Sequence, residues 1–413
     1  MSPTLTDSLL AATDRCVMCG QCLPHCPSYQ LWHNEADSPR GRIALLQALG
    51  HGQLAAGPGM LRHLDRCLGC LACERMCPSL VEYGQILDQG RALLHPTHPP
   101  ARPVQQLLDS VSDLPGMARQ ASMLRLYQRS GLQRLARRSG ALKVLGLAEQ
   151  EAALPPIPKA TKLASHYPAL GEAHGRVALF TGCVGQIFDG AVHQAAIAVL
   201  TRLGFAVTIP TSQGCCGALH QHNGEPEQAA ALARRNIDSF SDVDAVIGCA
   251  TGCGAQLHQY QGLYGEGLKA PFFDVAEFII RHWPGDLPLH PVPQRALYHL
   301  PCSQRNVLRQ PDSTAQLLAP IPELALSPLP GNDSCCGAAG SFLLSQPEAA
   351  AALREPKLAA IAKAQPDVLL SSNTSCALHL RQGLLAQGIA IPVRHPIELL
   401  AEALLQGEQG IAP

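Results

Sequence analysis

The chain has 413 residues, is 46% hydrophobic, and sets 31 Lys and Arg against 32 Asp and Glu for a formal net charge of −1, a balance that carries no global electrostatic signature of nucleic-acid binding. The length allows two or three domains, each with its own core. No apolar run approaches the roughly 18 residues that span a bilayer, and "MSPTLTDSLLAATDR" lacks the basic and apolar regions of a secretory signal, so a cytoplasmic location is expected, where 17 cysteines point to metal ligation rather than disulfides.

The first elements are two cysteine runs. Cys16, Cys19, Cys22 and Cys26 follow C-x2-C-x2-C-x3-C and end in Pro27; Cys67, Cys70, Cys73 and Cys77 repeat the spacing and end in Pro78. Three thiolates at x2 spacing reach three corners of one iron–sulfur cube, and the fourth, after the longer step, serves the other cube. By that crossing rule Cys16, Cys19, Cys22 and Cys77 hold one [4Fe–4S] cluster, and Cys67, Cys70, Cys73 and Cys26 the other. Zinc is the competing use of such cysteines, but zinc ribbons separate their C-x2-C pairs, whereas here four sit in each run. Gly20 and Gly69 would let backbone N–H groups approach the sulfurs, and Arg15 and Arg66 would add positive charge. Between the runs, "DSPRGRIALLQALGHG" carries helix signals: Ser38 as N-cap, Pro39 at the first position, Gly50 and Gly52 at the end. Its Ile43, Leu45, Leu46 and Leu49 are expected to pack under the clusters. A helical dicluster ferredoxin-like domain is expected over residues 1–95.

The Pro-rich "HPTHPPARP" opens a linker, placed at 96–173. Residues 118–148 read as interrupted amphipathic helix in which Arg119, Arg125, Arg129, Arg134, Arg137, Arg138 and Lys143 have no acidic residue among them. A solvated linker helix and a face that docks a partner or an anionic membrane are both open readings.

From residue 174 the pattern becomes α/β and repeats. "RVALFTGC", helix "DGAVHQAAIAVLTRLG" with Asp189 as cap, strand "FAVTIP", "GCCG", a helix over 225–240, strand "DAVIGC" and "TGCGAQL" form the first round, 174–290. "RALYHLPC", "SCCGAAGSF", a helix over 346–365, "DVLLSS" and "TSCALHL" form the second, 291–413. The steps agree: 32 residues from Cys183 to Cys215 against 33 from Cys302 to Cys335, then 37 from Cys216 to Cys253 against 40 from Cys336 to Cys376, which points to an internal duplication. Cysteines at strand C-termini lie where α/β sheets place ligand sites. Cys183, Cys215, Cys216, Cys249 and Cys253, and separately Cys302, Cys335, Cys336 and Cys376, are therefore candidates for an additional metal site, with buried apolar thiols or a zinc in one repeat as the alternatives. The rounds are unequal, because Cys249 corresponds to Ser372.

The paired cysteine runs, "SPRGRI", "CPSLVEYG", the two "CCG" segments and the terminal "HPIELL" together resemble the iron–sulfur subunit of bacterial glycolate oxidase, a group related to heterodisulfide reductase and to lactate-utilisation proteins. The resemblance implies two α/β cysteine-rich (CCG) domains after the ferredoxin-like one. It also implies an electron-transfer subunit that works with FAD-containing subunits oxidising a 2-hydroxy acid, peripheral on the cytoplasmic face of the inner membrane, and not catalytic alone. It leaves open a third cluster or a zinc ion in the CCG repeats. No dinucleotide fingerprint or P-loop occurs, so the flavin belongs on the partners, and quinone or another acceptor receives the electrons. Rival readings are a cysteine-rich half that itself reduces a disulfide or quinone, a D-lactate dehydrogenase subunit, and a zinc-held scaffold.

Overall fold

The computed structural model of the chain describes residues 3–144, 146, 151, 154–285 and 287–405. The end of the predicted 118–148 helical stretch (145, 147 and 148) and the ends of the first and last predicted domains (1–2 and 406–413) lie outside them.

In the N-terminal part, helices Pro3–Thr13, Pro39–Gly50 and Tyr83–Leu94 stack around Leu9, Ile43, Leu46, Leu49, Ile86 and Leu87, with the cysteine runs in the segments beside this core and Cys73, on the short helix Ala72–Arg75, part of it. The middle helix starts where its sequence signals place it: Pro39 fills the first position and the Ser38 hydroxyl accepts the Gly41 N–H at 3.0 Å. The linker forms helices Arg102–Ser112, Leu114–Arg129, Leu132–Arg138 and Ala141–Val144. The interruptions expected in the 118–148 stretch fall, among the described residues, at Gly131 and Gly140, both in the left-handed region.

The rest of the chain builds two sheets. The first has the order β1 (His166–Tyr167), β3 (Phe205–Thr208), β2 (Gly175–Phe180), β4 (Ala245–Gly248), β5 (Phe272–Asp274), parallel except for β1 at the edge. The second has the order β7 (Ala325–Pro328), β6 (Arg295–His299), β8 (Val368–Ser371), β9 (Val393–Arg394), all parallel. Leaving out β1, the two sheets share one topology: each begins on a central strand, steps outward to one side, then crosses back to the other. The strand order reverses beside β2 in one sheet and beside β6 in the other, and α/β folds place ligands outside the strand ends at that switch point.

The two sheets share a core. A single apolar cluster takes in Val177, Ile247 and Ile279 from the first sheet's side and Leu317, Val368 and Leu400 from the second's. The terminal helix Pro396–Leu405 packs on helix Gly190–Arg202 of the first repeat, and helix Val275–Arg281 packs on helix Ser313–Leu318 of the second. Each repeat thus covers its neighbour with its own last helix. Polar contacts tie the same seam: His395 Nε2 lies 2.8 Å from the Cys249 carbonyl and the Thr251 N–H donates to the Ser372 carbonyl at 3.0 Å. Asp189 stands at its predicted helix start without capping it; its carboxylate accepts the Thr374 hydroxyl across the seam instead. Among the described residues no helix is long and apolar enough to cross a membrane.

Leu400 is fully buried in this shared core. Leu400→Ala should cost about 2–5 kcal/mol, and hydrogen exchange should show the loss in helix Gly190–Arg202 of the other repeat as well as in the terminal helix itself.

Candidate metal centres

Two hollows lie side by side in the N-terminal part. The first encloses about 430 Å³ of non-atom space open to solvent and is lined by Cys16, Cys19 and Cys22 of the first run, Cys73 and Cys77 of the second, and Ile43 and Val81. The second, about 290 Å³, is lined by Cys67, Cys70 and Cys73 together with Cys26 of the first run. The fourth cysteine of each run therefore sits in the hollow of the other run's three, and Cys73 stands between them. Helix Pro27–Trp32 begins at Pro27 and leaves Cys26 as its N-cap, directed inward and buried. The donor set fits iron–sulfur clusters: eight thiols in two groups of four, in apolar surroundings. Burial pushes the Cys70 and Cys73 thiols up, and the neighbouring sulfurs push them further, so ionisation there calls for a bound cation.

The protein supplies part of that positive charge from "SPRGR". Arg40 lines the first hollow and Arg42 the second. Arg42 is fully buried; burial opposes its charge, but Tyr83, Cys67, Cys26 and Asp37 outweigh that and hold it protonated. Its Nε donates to the His63 carbonyl at 2.6 Å, its Nη2 donates to Ser28 Oγ at 3.0 Å, and Asp37 lies 3.7 Å away. The two arginines expected in this role serve others: Arg15 pairs with Glu82 at the surface, while Arg66 pairs with Asp37 and covers the Trp32 ring at 4.2 Å. The Gly69 N–H does donate to Cys67 Sγ at 3.5 Å. Gly20, with φ +84°, makes room for Arg40, whose Nη1 lies 2.8 Å from where a Cβ would stand.

Each sheet carries a row of four thiols at its C-terminal edge. In the first, Cys183 follows β2, Cys215 and Cys216 follow β3, and Cys253 follows β4. Cys183 and Cys215 are 3.6 Å apart, Cys216 adjoins Cys215, and Cys253 adjoins Cys216. In the second, Cys302, Cys335, Cys336 and Cys376 adjoin one another in the same order. The CCG glycine makes the loop possible. Gly217 and Gly337 take φ of +87° and +90°, turning their N–H groups onto Cys215 Sγ (3.5 Å) and Cys335 Sγ (3.4 Å). An amide just ahead clamps each loop to the central strand: Gln213 accepts from the Thr181 N–H at 2.8 Å, and Asn332 from the Leu300 N–H at 2.9 Å.

Cys249 is separate from the thiol row, contrary to its grouping with Cys253. It continues the alternation of Ala245 and Ile247 into the shared core, while Cys253 lies on helix Thr251–Tyr264, which packs with Val246 on the other layer. The second row stands close to the N-terminal hollows: Cys70 shares an apolar cluster with Cys302 and Cys335, and Asn306 Nδ2 donates to the Cys70 carbonyl at 2.6 Å. The first row packs instead on the linker, with Cys183 and Cys215 against Val111 and Leu107.

Comparisons with known proteins agree with this layout. Residues 12–81 match the 4Fe-4S dicluster domain, 177–258 and 296–381 each match the cysteine-rich domain, and 117–154 match the linker region of glycolate oxidase iron–sulfur subunits. The chain is 36% identical to the probable glycolate oxidase iron-sulfur subunit of Bacillus subtilis, over 94% of this chain and 93% of that one. It is 31% identical to the glycolate oxidase iron-sulfur subunit of Escherichia coli, over 96% and 95%. The chain belongs to the glycolate oxidase iron–sulfur subunit family. A more distant relative, lactate utilization protein A of Shouchella clausii, is 28% identical over 54% of this chain and 98% of its own length.

Within this glycolate oxidase-type subunit, two further residues of the second row escaped the sequence reading. His299 occupies the position of Phe180, each three residues ahead of the row's first cysteine, and Lys357 occupies that of Asn236, each the eleventh residue of the second helix after its CCG loop. Asn236 donates to the Cys215 carbonyl at 2.9 Å and Lys357 to the Gly331 carbonyl at 2.7 Å. Placing "RALYHLPC" on "RVALFTGC" is the signal that would have exposed the histidine. Burial, with Lys357 and Arg305 near, holds His299 neutral. The charge of Arg305 acts on Cys302, and the Cys335, Cys336 and Cys376 sulfurs act back on Lys357. What weighs most on the first row, besides burial, is its own sulfurs.

A Cβ on Gly337 would stand 2.5 Å from the Ala350 carbonyl oxygen, against 3.0 Å from Ala229 oxygen for Gly217. Gly337→Ala should therefore destabilise by more than the roughly 1–3 kcal/mol of left-handed strain alone, and Gly217→Ala by an amount within it. Denaturant midpoints of the two variants, measured side by side, check the order.

Proposed function

We propose that this chain is the iron–sulfur electron-transfer subunit of a flavin-dependent complex that oxidises a 2-hydroxy acid, with glycolate as the substrate, FAD on the partner subunits and quinone or another carrier as acceptor. The observation that carries this is the pair of adjoining hollows in which the two cysteine runs exchange their fourth thiols. Cys16, Cys19, Cys22 and Cys77 hold one [4Fe–4S] cluster, and Cys67, Cys70, Cys73 and Cys26 hold the other. When bound, such clusters supply one-electron chemistry at low potential, and a hydroxy-acid oxidation delivers two electrons, so the hydride-accepting step belongs to a flavin elsewhere. The chain's own part is to place, insulate and charge-balance the centres. Arg40 and Arg42 offset sulfur charge, the N-terminal core around Ile43, Leu46 and Ile86 limits water, and the rim at Val17, 67% exposed, with the exposed Cys19 beside it, offers a donor a short approach.

Glycolate is preferred to D-lactate because the relatives that match along nearly the whole chain are glycolate oxidase subunits, whereas the lactate-utilisation relative matches about half of it. A catalytic cysteine-rich half is the weaker reading, since Cys215, Cys216, Cys335 and Cys336 are all buried, out of reach of a bulky disulfide. The linker gives the complex a docking face: Met123, Leu126, Leu132 and Leu135 are exposed beside Arg119, Arg129, Arg134 and Arg138. Such a face suits a partner subunit or an anionic membrane surface.

Cys77→Ser should alter the paramagnetic signal of the cluster on Cys16, Cys19 and Cys22; a change confined to the other cluster would reject the crossed assignment. In the assembled complex, Cys216→Ala and Cys336→Ala should lower dye or quinone reduction more than flavin reduction by glycolate. The purified chain alone should not oxidise glycolate or lactate, and oxidation at the rate of the complex would exclude the electron-transfer role.

A further inference from the structure

The second thiol row contains a nitrogen that the first lacks. His299 ends β6 and is 1% exposed. Its Nδ1 lies 3.2 Å from Ser371 Oγ, and its Nε2 has no hydrogen-bond partner among the described residues. An imidazole nitrogen withdrawn from water with nothing in exchange is a cost that native structures avoid unless something else meets it. His299, Cys336 and Cys376 are all buried, and each offers one ligand atom within 4.8 Å of the other two. Because Ser371 engages Nδ1, Nε2 is the nitrogen available to that group.

We propose that the second cysteine-rich repeat binds one divalent ion of the zinc type, with His299 Nε2, Cys336 Sγ and Cys376 Sγ as ligands. A tetrahedral ion with metal–sulfur bonds of about 2.3 Å and metal–nitrogen bonds of about 2.0–2.1 Å requires donors that crowd around one point, as these three do. A cube gives each ligand its own iron and spreads the sulfurs further. The outer contact is the one that a histidine ligand needs: with the ion on Nε2, the Nδ1–H would donate to Ser371 Oγ, 3.2 Å away. Lys357, on which the sulfurs of Cys335, Cys336 and Cys376 act, places a basic side chain beside the same group. The fourth position of the tetrahedron falls next to Cys335, which adjoins Cys336.

The repeats thus diverge in chemistry through one strand position. Where the second has His299, the first has Phe180, whose ring packs on Phe240 at 6.1 Å between centroids and offers no lone pair. The ion would join the end of β6, the CCG loop after β7 and the helix after β8, three segments that meet at the sheet's edge. This inference goes beyond the electron-transfer role and does not depend on it.

The test uses the full chain, purified anaerobically and analysed for zinc, iron and acid-labile sulfide. The expected result is about one zinc per chain beside the iron, and loss of that zinc with retention of the iron in His299→Phe, which installs the residue of the first repeat. X-ray absorption at the zinc edge of the unaltered chain provides a reading independent of whether that variant folds: one nitrogen at about 2.0–2.1 Å among sulfurs at about 2.3 Å. A zinc-free chain, a zinc shell made of sulfur alone, or unchanged zinc in a folded His299→Phe protein would each overturn the proposal. Iron in the N-terminal hollows is counted separately, so failure of the electron-transfer reading and failure of this one give different results.

Discussion

Buried sulfur must be met by positive charge, and that requirement organises the molecule. A thiol withdrawn from water holds its proton, while a thiolate ligand in the same place needs a cation within a few ångströms. The N-terminal part meets the demand with two arginines two residues apart, one for each hollow, and then with a carboxylate to keep the inner one in place. Asp37 has its oxygens 3.7 Å from Arg42, 2.9 Å from His63 and 3.0 Å from Arg66, so a single buried acid joins three basic side chains behind the second hollow. The Ser38 cap and the Pro39 start of the following helix fix where those arginines point. A change in the helix register would move both cations away from the sulfurs together.

The duplicated half shows the same requirement answered unequally. Its two thiol rows share strand order, loop conformation and glycine geometry, yet the second is surrounded by Lys357, Arg305 and His299 where the first has Asn236 and Phe180. The second is also the row that touches the N-terminal hollows, through Cys70, Cys302 and Asn306. Duplication supplied two equivalent sheet edges, and contact with the cluster-binding part distinguishes them. The basic side chains lie on the edge that faces the greater concentration of sulfur.

Much of this is legible in the sequence, and what is not has identifiable causes. The spacing of the cysteine runs leads to the two hollows because local geometry limits which thiols can converge, and β2, β3, β4, β6 and β8 follow from periodicity, whereas β5, β7 and β9, two to four residues each, are too short to carry a pattern. The C-x3-C spacing of Cys249 and Cys253 suggests one site, but a helix begins at Thr251 between them: Cys249 follows Ala245 and Ile247 onto the core face, and Cys253 turns with the helix to the sheet's edge. The burial of Arg42 depends on Ser28 and His63, which only the tertiary fold brings near. Asp189 has the sequence of a cap and the position of one, but its carboxylate is taken by Thr374, 185 residues along the chain. For Arg42 and Asp189 a partner distant in sequence decides where the side chain goes.

The exchange of last helices between the two sheets sets the order in which the chain can acquire its structure. The first sheet can form its strands as soon as they are made, but its apolar face stays uncovered until residues 396–405 arrive, after the whole second repeat has been synthesised. At elongation rates of about 5–20 residues per second, that leaves Val177, Leu200 and Ile247 without their final cover for several seconds on the ribosome. The two halves of the duplication therefore become native together, once residues 396–405 have been made, and the thiol rows at their edges take final shape only then.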